Sequence, residues 1–126
     1  MVEVNKIRFE KTGFESFLSP LEADILRVLW TRRNSRVRDI HKIINKRRKV
    51  ALTSVAVILD RLHKKKIVSR VAKKGKGGYH YIYSTKVSRE HLEHSIIDKT
   101  VNKLVDMFGA NAVTYFNERF KKGKKR

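Results

Sequence analysis

Apolar positions along this chain form three helical stripes, two short alternating stretches and one long final stripe. The first stripe is Leu21, Ile25, Leu26, Leu29 and Trp30. Spacings of three and four residues put these side chains on one face of a helix reaching about residue 32. Its start is marked by Ser19-Pro20-Leu21-Glu22, an N-cap serine, a proline at the first helical position and a glutamate that completes a capping box. After a break at Asn34-Ser35, Val37, Ile40, Ile43 and Ile44 predict a second, shorter helix capped by Ser35, with Arg36, Arg38, Lys42 and Lys46 facing outward. Val55, Ile58, Leu59 and Leu62 predict a third over about residues 52–65. Thr53, Val57, Asp60, Arg61 and Lys64 fall on its opposite face, with Ser54 at the margin.

The period then changes. Residues 67–71 are rich in β-branched side chains, and residues 79–83 alternate Tyr79, Tyr81 and Tyr83 with His80 and Ile82, which predicts two strands. The intervening Ala72-Lys73-Lys74-Gly75-Lys76-Gly77-Gly78 reads as a flexible basic turn, so the pair is a β-hairpin with a cationic tip. Three helices followed by a basic hairpin is the order of a winged helix-turn-helix. The last stripe, Leu92, Ile96, Ile97, Val101, Leu104, Val105 and Phe108, lies on a helix from about residue 88. Gly109-Ala110-Asn111 interrupts it, and Val113, Phe116 and Phe120 continue on a short last helix. The expected fold is mainly α with a small β-hairpin, a winged helix-turn-helix followed by C-terminal dimerisation helices. Its parts are an N-terminal extension at 1–17, a DNA-binding winged helix at 18–85, a helical dimerisation region at 86–120 and a basic tail at 121–126.

Composition narrows the function. A chain of 126 residues fits one compact domain, or one small domain with an attached oligomerisation element, far better than two independent domains, and 40% hydrophobic residues are enough for a real core. Without cysteine there is no disulfide framework, thiolate zinc site or cysteine nucleophile. No stretch approaches the ~20 apolar residues that span a bilayer, and the N-terminus lacks a signal pattern, so no membrane partner and a cytoplasmic location are expected. Charge changes the picture most. The formal net charge is +19, yet residues 32–76 alone hold 17 basic residues against only Asp39 and Asp60, whereas residues 86–120 are balanced. A segment so one-sided repels itself, and a polyanionic partner is the common compensation. A solvated lysine-rich surface is the alternative, but that habit usually enriches glutamate as well, and residues 32–76 contain none.

In a winged helix the N-terminal residues of the third helix meet base edges while flanking cations hold phosphates. Thr53, Ser54, Val57 and Arg61 are therefore the base-reading candidates: hydroxyls bond several edges, valine meets a thymine methyl, and arginine pairs with guanine. For Arg61 a salt bridge or a phosphate contact is the competing role. Arg36, Arg38, Lys42, Lys46, Arg47, Arg48, Lys49 and Lys64 are candidate phosphate binders, and Lys73, Lys74 and Lys76 are candidate wing contacts to the minor groove or backbone. A merely solvated side chain is the alternative for each, and the clustering carries the reading. The final stripe could pack back on the N-terminal domain or pair with a second copy, and its neutral charge favours the homodimer.

His91 and His94 stand three apart, whereas the HExxH zinc motif needs four, and no third ligand stands out, so no metal or cofactor is expected. Gly75-Lys76-Gly77-Gly78 lacks the strand, loop and helix context of a nucleotide cradle. No set of nucleophile, base and orienter emerges, so the chain is not read as an enzyme.

These residues together resemble the penicillinase-repressor family of transcriptional regulators. The likeness rests on Leu18-Ser19-Pro20-Leu21-Glu22-Ala23 leading to Val28-Leu29-Trp30, on Ser54-Val55 through Leu59-x-Arg61-Leu62 ahead of Lys65-x-Ile67, on Tyr81-x-Tyr83, and on Val87-Ser88-Arg89-Glu90 leading to Met107-Phe108-Gly109. It covers about residues 17–120. It implies a homodimeric repressor whose winged helix reads double-stranded DNA at a palindromic operator and whose C-terminal helices hold the dimer. The family often has threonine where Val57 stands, which implies a different base preference. The copper-responsive branch uses C-terminal cysteines that this chain lacks, and no inducing signal, cleavage site or partner protease is legible. The rival expectation is a protein that coats nucleic acid without reading sequence, as chromatin-like proteins do.

Overall fold

The computed structural model describes residue 11 and residues 13–123. Most of the N-terminal extension and the end of the basic tail therefore lie outside the described residues. A 3-10 turn at Gly13–Phe17 leads into α1 (Pro20–Arg32). The capping box forms: Ser19 Oγ accepts from the Glu22 amide at 3.2 Å, and Glu22 Oε1 accepts from the Ser19 amide at 2.8 Å. Ile25, Leu26 and Leu29 of α1 are fully buried. Against them pack Ile40 and Ile44 of α2 (Val37–Asn45) and Val55, Ile58, Leu59 and Leu62 of α3 (Leu52–Lys64). All three helical stripes thus meet in one core.

The start of α2 differs from the expectation. Ser35 does not cap it. Ser35 and Arg36 form a short strand, β1, pairing antiparallel with Tyr83 and Ile82 of β3 (Gly78–Thr85). Arg36 occupies the cap position and makes no side-chain cap bond. The buried Ser35 is committed to the sheet, and α2 begins two residues later.

The hairpin is longer than the pattern of apolar residues indicates. β2 (Val68–Gly75) pairs with β3 from Val68–Thr85 to Gly75–Gly78, so Ala72, Lys73 and Lys74 are strand residues opposite Tyr81, His80 and Tyr79. A backbone ladder needs no apolar side chains, which is why a basic stretch can extend it. Only Lys76 and Gly77 lie between the closing pair, and Gly77 (φ 82°) and Gly78 (φ 111°) supply the positive φ that so tight a reversal requires. Along β3, Tyr83 is buried while Tyr81 and Tyr79 are exposed, so the hairpin leaves the core as it extends.

α4 (Arg89–Phe108) is capped by Ser88, whose Oγ accepts from the His91 amide at 3.0 Å, and it ends at Gly109. α5 (Ala110–Gly123) follows, longer than the short last helix expected. Leu92 and Ile96, expected on the dimer stripe, are instead buried in the chain's own core beside Phe14. Past Ile96 the stripe emerges. Ile97, Val101, Phe108, Val113 and Phe120 are exposed, Leu104, Val105 and Phe116 are half-buried, and Phe116 stacks on Phe120. Among the described residues, no helix is long and apolar enough to cross a membrane.

Candidate nucleic-acid interface

The outward face of α3 carries Thr53, Ser54, Val57, Arg61 and Lys64, all exposed, and Val57 is 52% accessible although it is aliphatic. The buried stripe on the other side fixes this presentation, since Val55, Leu59 and Leu62 cannot turn outward without emptying the core. Arg61 has no acidic partner within 4 Å among the described residues.

Two residues that the periodicity did not single out hold the entry to α3. His41 Nε2 bonds the Val50 carbonyl at 2.7 Å, and Asn45 Oδ1 accepts from the Val50 amide at 3.1 Å. The end of α2 thereby grips both backbone groups of the residue before the α3 cap. The signal in the sequence was weak, because one His and one Asn inside a basic stretch look like surface residues. The turn they fix carries Lys46, Arg47, Arg48 and Lys49, all exposed. Arg48 reaches back to Asp24 of α1 at 3.3 Å. Lys46 and Arg47 line an open cleft of about 370 Å³ between the ends of α1 and α2, together with Arg32 over an apolar floor of Val28, Ile43 and Ile44.

The hairpin is tied to α3 through Asp60. Its Oδ1 accepts from Arg70 Nη1 of β2 at 3.0 Å, and its Oδ2 lies 3.1 Å from Lys64 Nζ. The same Arg70 nitrogen donates to the Tyr83 hydroxyl at 3.3 Å, and the guanidinium sits 4.2 Å from the Tyr81 ring centroid. Hydrogen bonds from Lys64 and Arg70 hold the Asp60 carboxyl below the usual aspartate range, and bonds to Tyr83 and Asp60 push the Arg70 guanidinium still higher. Asp60 is one of only two acids in the basic segment, and that rarity could have marked it as a structural anchor.

The cations thus fall into two groups. Arg36 is 3.7 Å from Asp39, Arg48 binds Asp24 and Lys64 binds Asp60, so these three are partly neutralised. Arg38, Lys42, Lys46, Arg47, Lys49, Lys73, Lys74 and Lys76 are exposed and, among the described residues, lie within 4 Å of no carboxylate. The exposed Tyr79, cross-strand from Lys74, adds an aromatic face to the cationic hairpin tip. Among the described residues, no three His, Cys, Asp or Glu side chains come together as a metal site.

The model of the penicillinase repressor family matches residues 18–125. No curated protein matches the chain. Among solved structures, a possible transcriptional regulator from Methanosarcina mazei Go1 is 22% identical, with a TM-score of 0.57 over 78% of this chain and 79% of its own. A PadR family transcription regulator from hypervirulent Clostridium difficile R20291 is 16% identical, with a TM-score of 0.51 over 71% of this chain and 98% of its own. At these identities the likeness is one of fold.

Proposed function

The chain belongs to the penicillinase-repressor family of DNA-binding transcriptional regulators, and from that premise we propose that it acts as a homodimeric repressor reading a palindromic operator. In this reading α3 enters the major groove, with Thr53, Ser54, Val57 and Arg61 against base edges. The cations of α2 and of the α2–α3 turn hold phosphates, and Lys73, Lys74 and Lys76 of the hairpin engage the neighbouring backbone or minor groove. The exposed apolar positions of α4 and α5 pair with their counterparts in a second copy.

The observation that carries the reading is the separation of two surfaces on one chain. Exposed cations, without acid partners among the described residues, lie on α2, the α2–α3 turn and the hairpin next to α3, while the charge-balanced residues 86–120 expose Ile97, Val101, Phe108, Val113 and Phe120. The first surface suits a polyanion, and the second suits burial between subunits that would otherwise repel each other.

Footprinting on genomic fragments tests it. The expected outcome is a two-fold symmetric site with protected major grooves ~34 Å apart. Replacing Thr53, Ser54 and Arg61 together by alanine should bring a preference for operator over random DNA, of order 10³-fold or more, close to one, while salt-dependent non-specific binding survives. Uniform protection without a palindrome, unaffected by the triple substitution, would establish a sequence-indifferent coat protein instead.

A further inference from the structure

The 3-10 turn Gly13–Phe17 lies ahead of the family match, which begins at residue 18, and the DNA-reading surfaces described above give it no role. Its centre is Phe14, only 1% exposed. The ring meets Trp30 of α1 edge-on with centroids 5.1 Å apart, and the guanidinium groups of Arg27 from α1 and Arg89 from α4 stand 5.4 and 5.1 Å from its centroid. The Phe14 amide donates to Glu93 Oε2 of α4 at 3.0 Å. Gly13 adopts φ 63°, a conformation that strains any other residue, and its backbone runs so close to that carboxylate that a Cβ would stand 2.8 Å from the oxygen. On the other side Glu15 pairs with Arg27. Trp30 Nε1 completes the cluster by donating to the Val87 carbonyl, in the link into α4, at 2.9 Å. Apart from α5, this turn is the element on which α4 chiefly packs.

We propose that the Gly13–Phe17 turn is a brace fixing the direction in which α4 leaves the winged helix, and that Phe14 and Glu93 are positioning residues for operator spacing. The spacing part rests on the dimer reading above. α4 carries part of the proposed dimer face, so its angle to α3 sets the separation of the two α3 helices. Without the brace, α4 is joined by the short link 86–88 and the inward contacts of Leu92 and Ile96. A 20-residue helix is ~30 Å long, so a tilt of ~10° at its base moves its far end by ~5 Å. That exceeds the ~3.4 Å rise of one base-pair step.

The chain has no cysteine, so Thr31→Cys on α1 and Asn102→Cys on α4, both exposed, accept spin labels cleanly. Labelled protein diluted in unlabelled protein reports the distance within one chain. The parent is expected to give one narrow distribution, and both Phe14→Ala and Glu93→Ala a distribution at least twice as wide. On operators with varied spacers, the parent's preference for its best spacing over a site longer by ~5 bp should fall about ten-fold in each variant. Affinity for an isolated half-site should not change. If Phe14→Ala fails to fold, the partly exposed Glu93→Ala decides alone. An unchanged width, or an unchanged spacing preference, in a folded variant overturns the brace. A parent that prefers no spacing counts against the operator reading instead, while the distance measurement still judges the brace.

Discussion

Glu22 shows how much one side chain can be asked to do in a small core. One carboxylate oxygen closes the α1 capping box and the other accepts from Lys65 Nζ, just past the end of α3, at 3.0 Å. Burial alone would push this carboxyl up, but the bonds from the Ser19 amide and Lys65 outweigh it, and the group titrates below the ordinary glutamate value. Its folded pKa is therefore depressed relative to the unfolded chain. The stabilisation is present above the unfolded value and is lost as pH falls through the folded one. Glu22→Gln should destabilise the protein by roughly 1–3 kcal/mol at neutral pH, since it leaves Lys65 without its charge partner. The variant's stability should also fall less steeply between about pH 5 and pH 3. Urea titrations across that range check both, and an equally steep acid branch in the variant would remove Glu22 as its cause.

At the scale of elements, the issue is what fixes α3 relative to its surroundings. The core stripe sets its rotation, the His41–Val50 and Asn45–Val50 bonds set where it begins, and the Asp60–Arg70 pair sets the hairpin beside it. Asn45→Ala removes one of the two grips while leaving every exposed cation in place. Its expected cost in stability is about 1 kcal/mol. Under the proposed function, operator affinity should fall about three- to ten-fold with little change in affinity for random DNA, because there only base readout depends on the exact start of α3. Parallel binding curves on operator and scrambled duplexes measure this. Equal losses on both would mean that Asn45 serves stability alone.

The whole molecule carries exposed cations on α2, α3 and the hairpin and exposed apolar positions on α4 and α5, and under the proposed function its affinity should depend on two copies acting together. Ile97→Glu combined with Phe120→Glu alters residues exposed in the single chain, so the core should be untouched. Sedimentation should show a shift to monomer. Affinity for the full operator should fall by 10²-fold or more as the linked second contact is lost, with half-site affinity unchanged. Retention of the dimer would place the interface elsewhere on the chain.

The three helical stripes, the capping box, the hairpin and the final amphipathic stretch were legible in the sequence, because each is a local pattern that burial on one face dictates. The separation of charge was legible for the same reason, as a property of contiguous segments. Tertiary structure alone decided that Ser35 joins a sheet instead of capping α2, because its partner Tyr83 lies 48 residues away. It likewise decided that Leu92 and Ile96 turn inward while Ile97 and Val101 stay out. A helical stripe shows which residues share a face but not where along the helix its cover ends. Here the cover is the core packed around Phe14, whose amide bonds Glu93, 79 positions along the chain. Contacts between residues so distant in sequence leave no periodic trace, and they are what orient the cationic face and the exposed apolar face relative to each other.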